Sequence, residues 1–138
     1  MYFSTKFRWT IYLGSKTQDI NDFKNVINTN LVENYLNKIN LNNKDFVYID
    51  AEMIHGLPVN PIVFELQQSS DIAYRIYDYD RLDINCKKRD IHIKESLDTI
   101  KFNLKSEIQK EHDDNAFYKI NYFKLQKLDL KNQGIKRY

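Results

Sequence analysis

Four polar side chains in two neighbouring stretches have the spacing to do chemistry together. In 62–68, Ile-Val-Phe-Glu-Leu-Gln-Gln, a strand would put Glu65 and Gln67 on one face and Phe64 and Leu66 on the other. In 71–77, Asp71 and Arg75 would share a face opposed by Ile72, Tyr74 and Ile76. If the two strands are neighbours, one surface gathers two carboxylates, an amide and a guanidinium, and the other is apolar and can pack. Two readings stand open. The surface is an exposed sheet face with a weak ion pair, or it lines a polar ligand cavity in a small barrel. His55 sits just upstream, in Met53-Ile-His-Gly-Leu. A lone histidine among apolar residues is usually structural. A zinc site needs three or four protein ligands. No second histidine lies at ligand spacing from His55, and His92 and His112 fall on other elements with no supporting pattern.

The elements that must position these residues follow from periodicity. Residues 9–13, Trp-Thr-Ile-Tyr-Leu, are β-branched and aromatic and predict a strand closed by Gly14. A helix follows, capped by Thr17 or Asp19, with Ile20, Phe23, Val26 and Ile27 on one face. Asn28-Thr29-Asn30 breaks it, and Leu31, Val32, Tyr35, Leu36 and Ile39 predict a second helix. From Asp45 the period changes to two, predicting strands over 46–49, 53–57, 62–68 and 72–78. Residues 90–102 return to helical spacing through Ile93, Leu97 and Ile100. Residues 106–115 read as a charged surface loop and 117–130 as strand. Short strands between turn residues predict an antiparallel sandwich or barrel.

At 138 residues, 42% hydrophobic and 14% aromatic, the chain is one domain's length and too apolar for disorder. A net charge of +2 gives no nucleic-acid footprint. The tyrosines are not interleaved with basic residues as a base-stacking platform requires. The run Lys87-Lys88-Arg89, followed by Asp90, reads as a solvated loop. The single cysteine, Cys86, excludes an internal disulfide and favours a reducing compartment. No apolar run approaches the ~20 residues of a membrane span, and the N-terminus lacks the apolar core of a signal peptide. A cytoplasmic protein is the simplest expectation. From the residues alone the reading stops at a soluble mixed α/β domain with a polar sheet face.

The stretch 45–82 is more specific. It carries Asp-Phe-Val-Tyr-Ile-Asp-Ala-Glu-Met-Ile-His-Gly-Leu, then Glu65, Gln67, Gln68, Ser70, Asp71, Tyr74, Arg75, Tyr77, Asp78 and Arg81 in one register. This resembles the signature of type I mannose-6-phosphate isomerases, zinc enzymes of the cupin superfamily. The resemblance implies a mixed α/β fold dominated by antiparallel β, a partial jelly-roll-like cupin barrel with a small helical insertion. It implies a single truncated domain over 1–138, with the insertion at 14–40, the core of the metal-site cupin at 45–102 and the start of a second cupin half at 116–131. It implies that His55 is a ligand to one zinc ion. Arg75 is then the catalytic arginine, and Glu65, Asp71 and Arg81 hold substrate. The implied reaction interconverts mannose 6-phosphate and fructose 6-phosphate through an enediol or enediolate.

The chain departs from the family pattern in two places. Residues 1–13 offer no histidine or acid for the family's other zinc ligands, a Gln-x-His pair and a glutamate. The expectation is therefore a central fragment, from a truncated gene, a split subunit or an engineered piece. Open sheet edges would favour self-association or a complementing chain. The expected partners are a phosphosugar, with no nucleic acid and no membrane. A non-catalytic cupin remnant is the alternative. The family's Pro-x-Gly-Thr turn before the histidine is replaced by Asp50-Ala51-Glu52-Met53, which exchanges a glycine for Glu52. Glu52 is also weighed as a substitute metal ligand.

Overall fold

Strand-forming residues are joined by turns into two antiparallel sheets, with helices packed on the outer side of one of them. The computed structural model describes residues 2–3, 9–29, 31–58, 62–79, 81–110 and 117–126. Strands β1 (Tyr2–Phe3) and β2 (Trp9–Ser15) precede helix α1 (Ile20–Val26). Strands β3 (Leu36–Leu41), β4 (Phe46–Tyr48), β5 (His55–Gly56) and β6 (Val63–Phe64) follow. Helix α2 (Ile93–Thr99), strand β7 (Glu107–Gln109) and the hairpin β8 (Phe117–Lys119) and β9 (Lys124–Gln126) complete the order. One sheet runs β6-β1-β4-β7, the second β3-β2-β5, and the hairpin stands as a third.

The two larger sheets enclose an apolar core. Ile11, Leu13, Leu41, Val47 and Met53 form its centre, with Val63 and Ile108 packed against it. A second core lies on the other face of β2. There Tyr12, Phe23, Ile27, Val32, Leu36 and Ile54 meet Ile93, Leu97, Ile100 and Phe102. Strand β2 is central in its sheet and buried on both faces, so Ile11, Tyr12 and Leu13 are all buried in succession. Gly14 does not end this strand. It sits inside it at φ 70°, within a register shift between Tyr12 and Ser15. Asp19 caps α1 by accepting the Asn21 N–H at 2.8 Å. Thr17, the other expected cap, accepts the Asp19 N–H and donates to Asp22.

Several expectations are corrected. The second helix is a single 3-10 turn, Val32–Tyr35, and its apolar stripe continues as strand β3, paired along β2 from Ser15↔Leu36 to Trp9↔Leu41. Asparagines at 37 and 40 are poor helix formers, and the free edge of β2 satisfies the backbone better than a helix would. The expected strands over 62–68 and 72–78 shrink to Val63–Phe64, because among the described residues only those two find a strand partner, in β1. Residues 107–109, expected in a loop, pair with β4 through Val47↔Ile108. The strand expected over 117–130 is the β8–β9 hairpin, whose Tyr118 stacks on Phe46 at 4.2 Å between centroids. His112, residue 116 and residues 127–131 lie outside the described residues.

The turn before His55 is informative. Glu52 adopts φ 68°, the left-handed backbone that glycine suits. Lys101 holds it twice, by an N–H bond to the Glu52 carbonyl at 3.0 Å and by an ion pair to its carboxylate. That carboxylate is thereby engaged, which argues against Glu52 as a metal ligand. Left-handed backbone costs an L-residue about 1–2 kcal/mol, whereas the exposed ion pair is worth about 0–1 kcal/mol. Glu52→Gly is therefore expected to stabilise the chain by about 0.5 kcal/mol, and Glu52→Val to destabilise it by about 1–2 kcal/mol. Urea midpoints of the two variants measure this, and a Glu52→Gly chain weaker than its parent would refute it.

Candidate functional site

His55 lies on edge strand β5, directly opposite Leu13 of β2. Paired residues of an antiparallel ladder project to the same face, so the imidazole stands on the inter-sheet face with Leu13 and is exposed to solvent. Its Nδ1 is 3.0 Å from the Met53 carbonyl. A carbonyl only accepts, so Nδ1 is the donor, and Nε2 is the nitrogen left to face a metal. A cavity of about 300 Å³ opens beside Leu13, between Met53, Leu104, Asn37 and Lys105. That volume is at the lower end for small-molecule sites.

The opposite face of β5 is clasped by aromatic residues. Gly56 pairs with Tyr12, and a Cβ on Gly56 would fall 2.9 Å from the Tyr79 hydroxyl. Tyr79 stacks on Tyr12 at 6.5 Å and meets Tyr77 edge-on at 4.9 Å. Arg81 places its guanidinium 4.6 Å from the Tyr79 ring centre and donates from Nη2 to the Leu57 carbonyl at 3.2 Å. The Tyr12 hydroxyl donates to Glu33 at 2.5 Å. Burial, reinforced by Glu33, pushes the Tyr12 phenol up to about 12, and burial does the same to Tyr79. Both phenols stay protonated at neutral pH and act as donors and packing groups.

Arg75 is held by the segment leading into α2. Its N–H donates to His92 Nδ1 at 3.2 Å, its carbonyl accepts the His92 N–H at 2.8 Å, and its Nη1 donates to the Asp90 carbonyl at 3.0 Å. Its Nε is 3.9 Å from Asp78 Oδ1. Asp78 is 7% exposed, and both of its oxygens accept from Arg89, one from Nε at 2.8 Å and the other from Nη2. Those bonds hold its carboxyl below the usual carboxylate range against the opposing effect of burial, with Arg75 and Arg81 adding to the effect.

The structure thus gathers Arg75 and Arg81 around Asp78, and brings Arg81 to the strand that carries His55. It does not form the expected four-residue polar face. Glu65, Gln67 and Asp71 are exposed on an irregular segment, and neither carboxylate makes an ion pair with a described residue. The apolar face that should have packed is exposed as well, with Ile62 at 71%, Phe64 at 57% and Ile72 at 68%. Alternation fixes which residues share a face only where a neighbouring strand exists. Sequence reasoning missed Arg89, read as solvated, and gave no role to Tyr79 or His92. No local spacing links Asp78 to Arg89. Only the turn closed by the Leu82↔Lys88 bridge brings them together.

No family model matches the chain. Curated relatives do. The chain is 33% identical over 90 residues to a probable mannose-6-phosphate isomerase of Bacillus subtilis, covering 65% of this chain and 29% of that protein. It is 32% identical over 90 residues to the mannose-6-phosphate isomerase of Streptococcus mutans, covering 65% and 28%. The crystal structure of the mannose 6-phosphate isomerase from Bacillus subtilis superposes with a TM-score of 0.69 at 26% identity, over 91% of this chain and 38% of that one. This chain is similar to mannose-6-phosphate isomerases over part of their length. It spans under a third of the length of the curated relatives it matches. The shared fold is mixed α/β dominated by antiparallel strands, a partial cupin-like barrel.

A mannose-6-phosphate isomerase site with zinc needs more donors than these residues supply. His55 presents a suitable imidazole, but among the described residues no group of three or more His, Cys, Asp or Glu could hold a metal. The single ligand fits and the set does not.

Proposed function

We propose that this chain carries part of the catalytic site of a mannose-6-phosphate isomerase, acting on the open-chain phosphosugar. In that reaction a proton leaves C2 and the freed pair forms the C1–C2 double bond, placing negative charge on O1. A proton then returns at C1 as the C2 hydroxyl becomes the carbonyl. Arg75 is the residue suited to the developing charge. A guanidinium keeps its proton throughout and stabilises an oxyanion in place. The observation that carries this reading is how Arg75 is held. Asp90 and His92 fix its position, while Asp78 has both oxygens committed to Arg89, so the Arg75 charge is oriented yet not cancelled. Arg81 would hold substrate from its place behind β5, with Glu65 and Asp71 on the exposed segment at 65–71. His55 Nε2 would supply one zinc ligand, with the remaining donors coming from outside the described residues. The hairpin from Phe117 would open a second cupin half, and the cytoplasm would be the site of action.

A second reading has its own support. Ile62, Phe64, Leu66, Ile72 and Tyr74 leave an apolar stretch exposed beside edge strand β6, a surface suited to strand pairing with a second chain or copy. In this reading the chain is a cupin subunit without activity of its own.

One sample tests both readings. Isomerase turnover, zinc content by elemental analysis and sedimentation equilibrium are measured on the purified chain. Turnover that falls about 10²–10³-fold in Arg75→Lys supports the first reading. A chain without turnover that sediments as a dimer or larger supports the second. Turnover unchanged by Arg75→Lys refutes the catalytic role of Arg75.

A further inference from the structure

His92 occupies the N-cap position of α2. A side chain there usually accepts from the first turn of its own helix. His92 makes no such bond. Its ring meets the segment 74–78 instead. Nδ1 accepts the Arg75 N–H at 3.2 Å, and the ring centre lies 6.1 Å from that of Tyr74. The backbone closes the contact from the other side, where the His92 N–H donates to the Arg75 carbonyl at 2.8 Å.

The direction of the ring bond selects a protonation state. A backbone N–H only donates, so Nδ1 must offer a lone pair. The bond exists only while the imidazole is neutral, with its one proton on Nε2. An imidazolium carries a proton on both nitrogens and cannot accept. Two donors would then face each other across the gap between His92 and Arg75. The charged neighbours do not offset that change. Opposite the ring stand Tyr74 and Arg75, and the nearby Asp78 carboxylate is committed to Arg89. On its own side, Asp90 precedes His92, and Lys94 and Glu95 follow in the first turn of α2. Among the described residues no carboxylate bonds to the ring. A charge on it would add to that of the Arg75 guanidinium. The bond from Arg75 Nη1 to the Asp90 carbonyl anchors on the same short segment and shares any displacement of it.

We propose that His92 is a positioning residue that holds Arg75 only as a neutral imidazole, so that protonating His92 releases Arg75 and switches the site off in acid. The effect on turnover rests on the isomerase reading. The clamp itself does not, because it is built from His92 and the backbone of Arg75 alone.

The test follows the Arg75 amide by nitrogen-15 NMR in the full 138-residue chain. Hydrogen exchange is corrected for the intrinsic effect of pH, and carbon-13 shifts of the His92 ring report its protonation. The Arg75 N–H should be protected while the ring is neutral and lose about fivefold in protection as the ring takes up a proton. His92→Asn sets an amide oxygen where Nδ1 stands. It should keep the protection and abolish its loss in acid. His92→Phe keeps a ring without an acceptor and should lose protection at every pH. Protection that ignores the ring titration in the parent, or that is unchanged in a folded His92→Phe chain, overturns the proposal. Turnover on the same samples separates the clamp from the isomerase reading. An acid limb of kcat that tracks the ring titration and disappears in His92→Asn, with KM little changed, supports both. Absent turnover with the expected exchange pattern supports the clamp and counts against the isomerase reading of this chain. An acid limb that persists unaltered in His92→Asn overturns the switch.

Discussion

Phe23→Ala is expected to cost the chain about 3–5 kcal/mol, the range for removing a large buried aromatic. Phe23 is 0% exposed and meets Phe102 edge-on at 5.6 Å. It is the point where α1 touches the strands, α2 and the segment beyond α2 at once. Its own cluster contains Tyr12, Val32 and Ile54, and packs against Ile76, Tyr77, Tyr79 and Ile93. Those last four residues flank Arg75, Arg81 and His92. The cavity left by alanine therefore lies under the residues proposed to act. Urea unfolding should show a lower midpoint with an unchanged slope. The N–H of Arg75, bonded to His92, should exchange faster with solvent. A midpoint within about 1 kcal/mol of the parent would mean that this layer can collapse onto the gap.

Arg89→Gln is expected to destabilise the chain, because it leaves the buried Asp78 carboxylate without its bidentate partner. The cost should exceed that of Asp78→Asn, and the order is the test. Removing Arg89 strands a buried carboxylate whose remaining cation, Arg75, is 3.9 Å away. Removing Asp78 strands a guanidinium whose side chain is 45% exposed and can hydrate. The pH dependence has a definite sign. The folded carboxyl of Asp78 sits below its ordinary value of 3.8, so its contribution is fully present above that value. It is lost as pH falls through the lower folded value. Parent and Arg89→Gln should differ at neutral pH and converge in acid, once pH has fallen below the lowered folded value. Unfolding curves across that range measure it. Equal costs for the two variants, or a gap that persists in acid, would show that the pair does not act as described.

Some of this architecture could be read from the residues. The α1 face came out as expected, with Phe23, Val26 and Ile27 buried and Asp19 as the cap, because 3.6-residue spacing and cap chemistry are local. The expected spacing also holds for Ile93 and Leu97 of α2 and for Ile100 just past its end, which are partly buried against that core. The stripe from Val32 to Ile39 misled, since a short apolar run serves a helix or a strand equally well and the choice fell to β2. The candidate site divides in the same way. The register from Glu65 to Arg81 was visible as a pattern of residue types. Their common face was not, because it needed a partner strand that the described residues do not supply.

The sequence by itself determined the residue types available for chemistry, the helix with its cap, the strand character of 9–13 and the resemblance to mannose-6-phosphate isomerases. Each of these depends on neighbours within a few positions or on a fixed register. Only the tertiary structure decided that Arg89 closes on Asp78, that Tyr79 fills the space a side chain on Gly56 would need, and that His92 grips the backbone of Arg75. Those contacts join residues 11 to 23 positions apart. They depend on where a turn sends the chain and which side chain meets a buried charge, and no local periodicity encodes that.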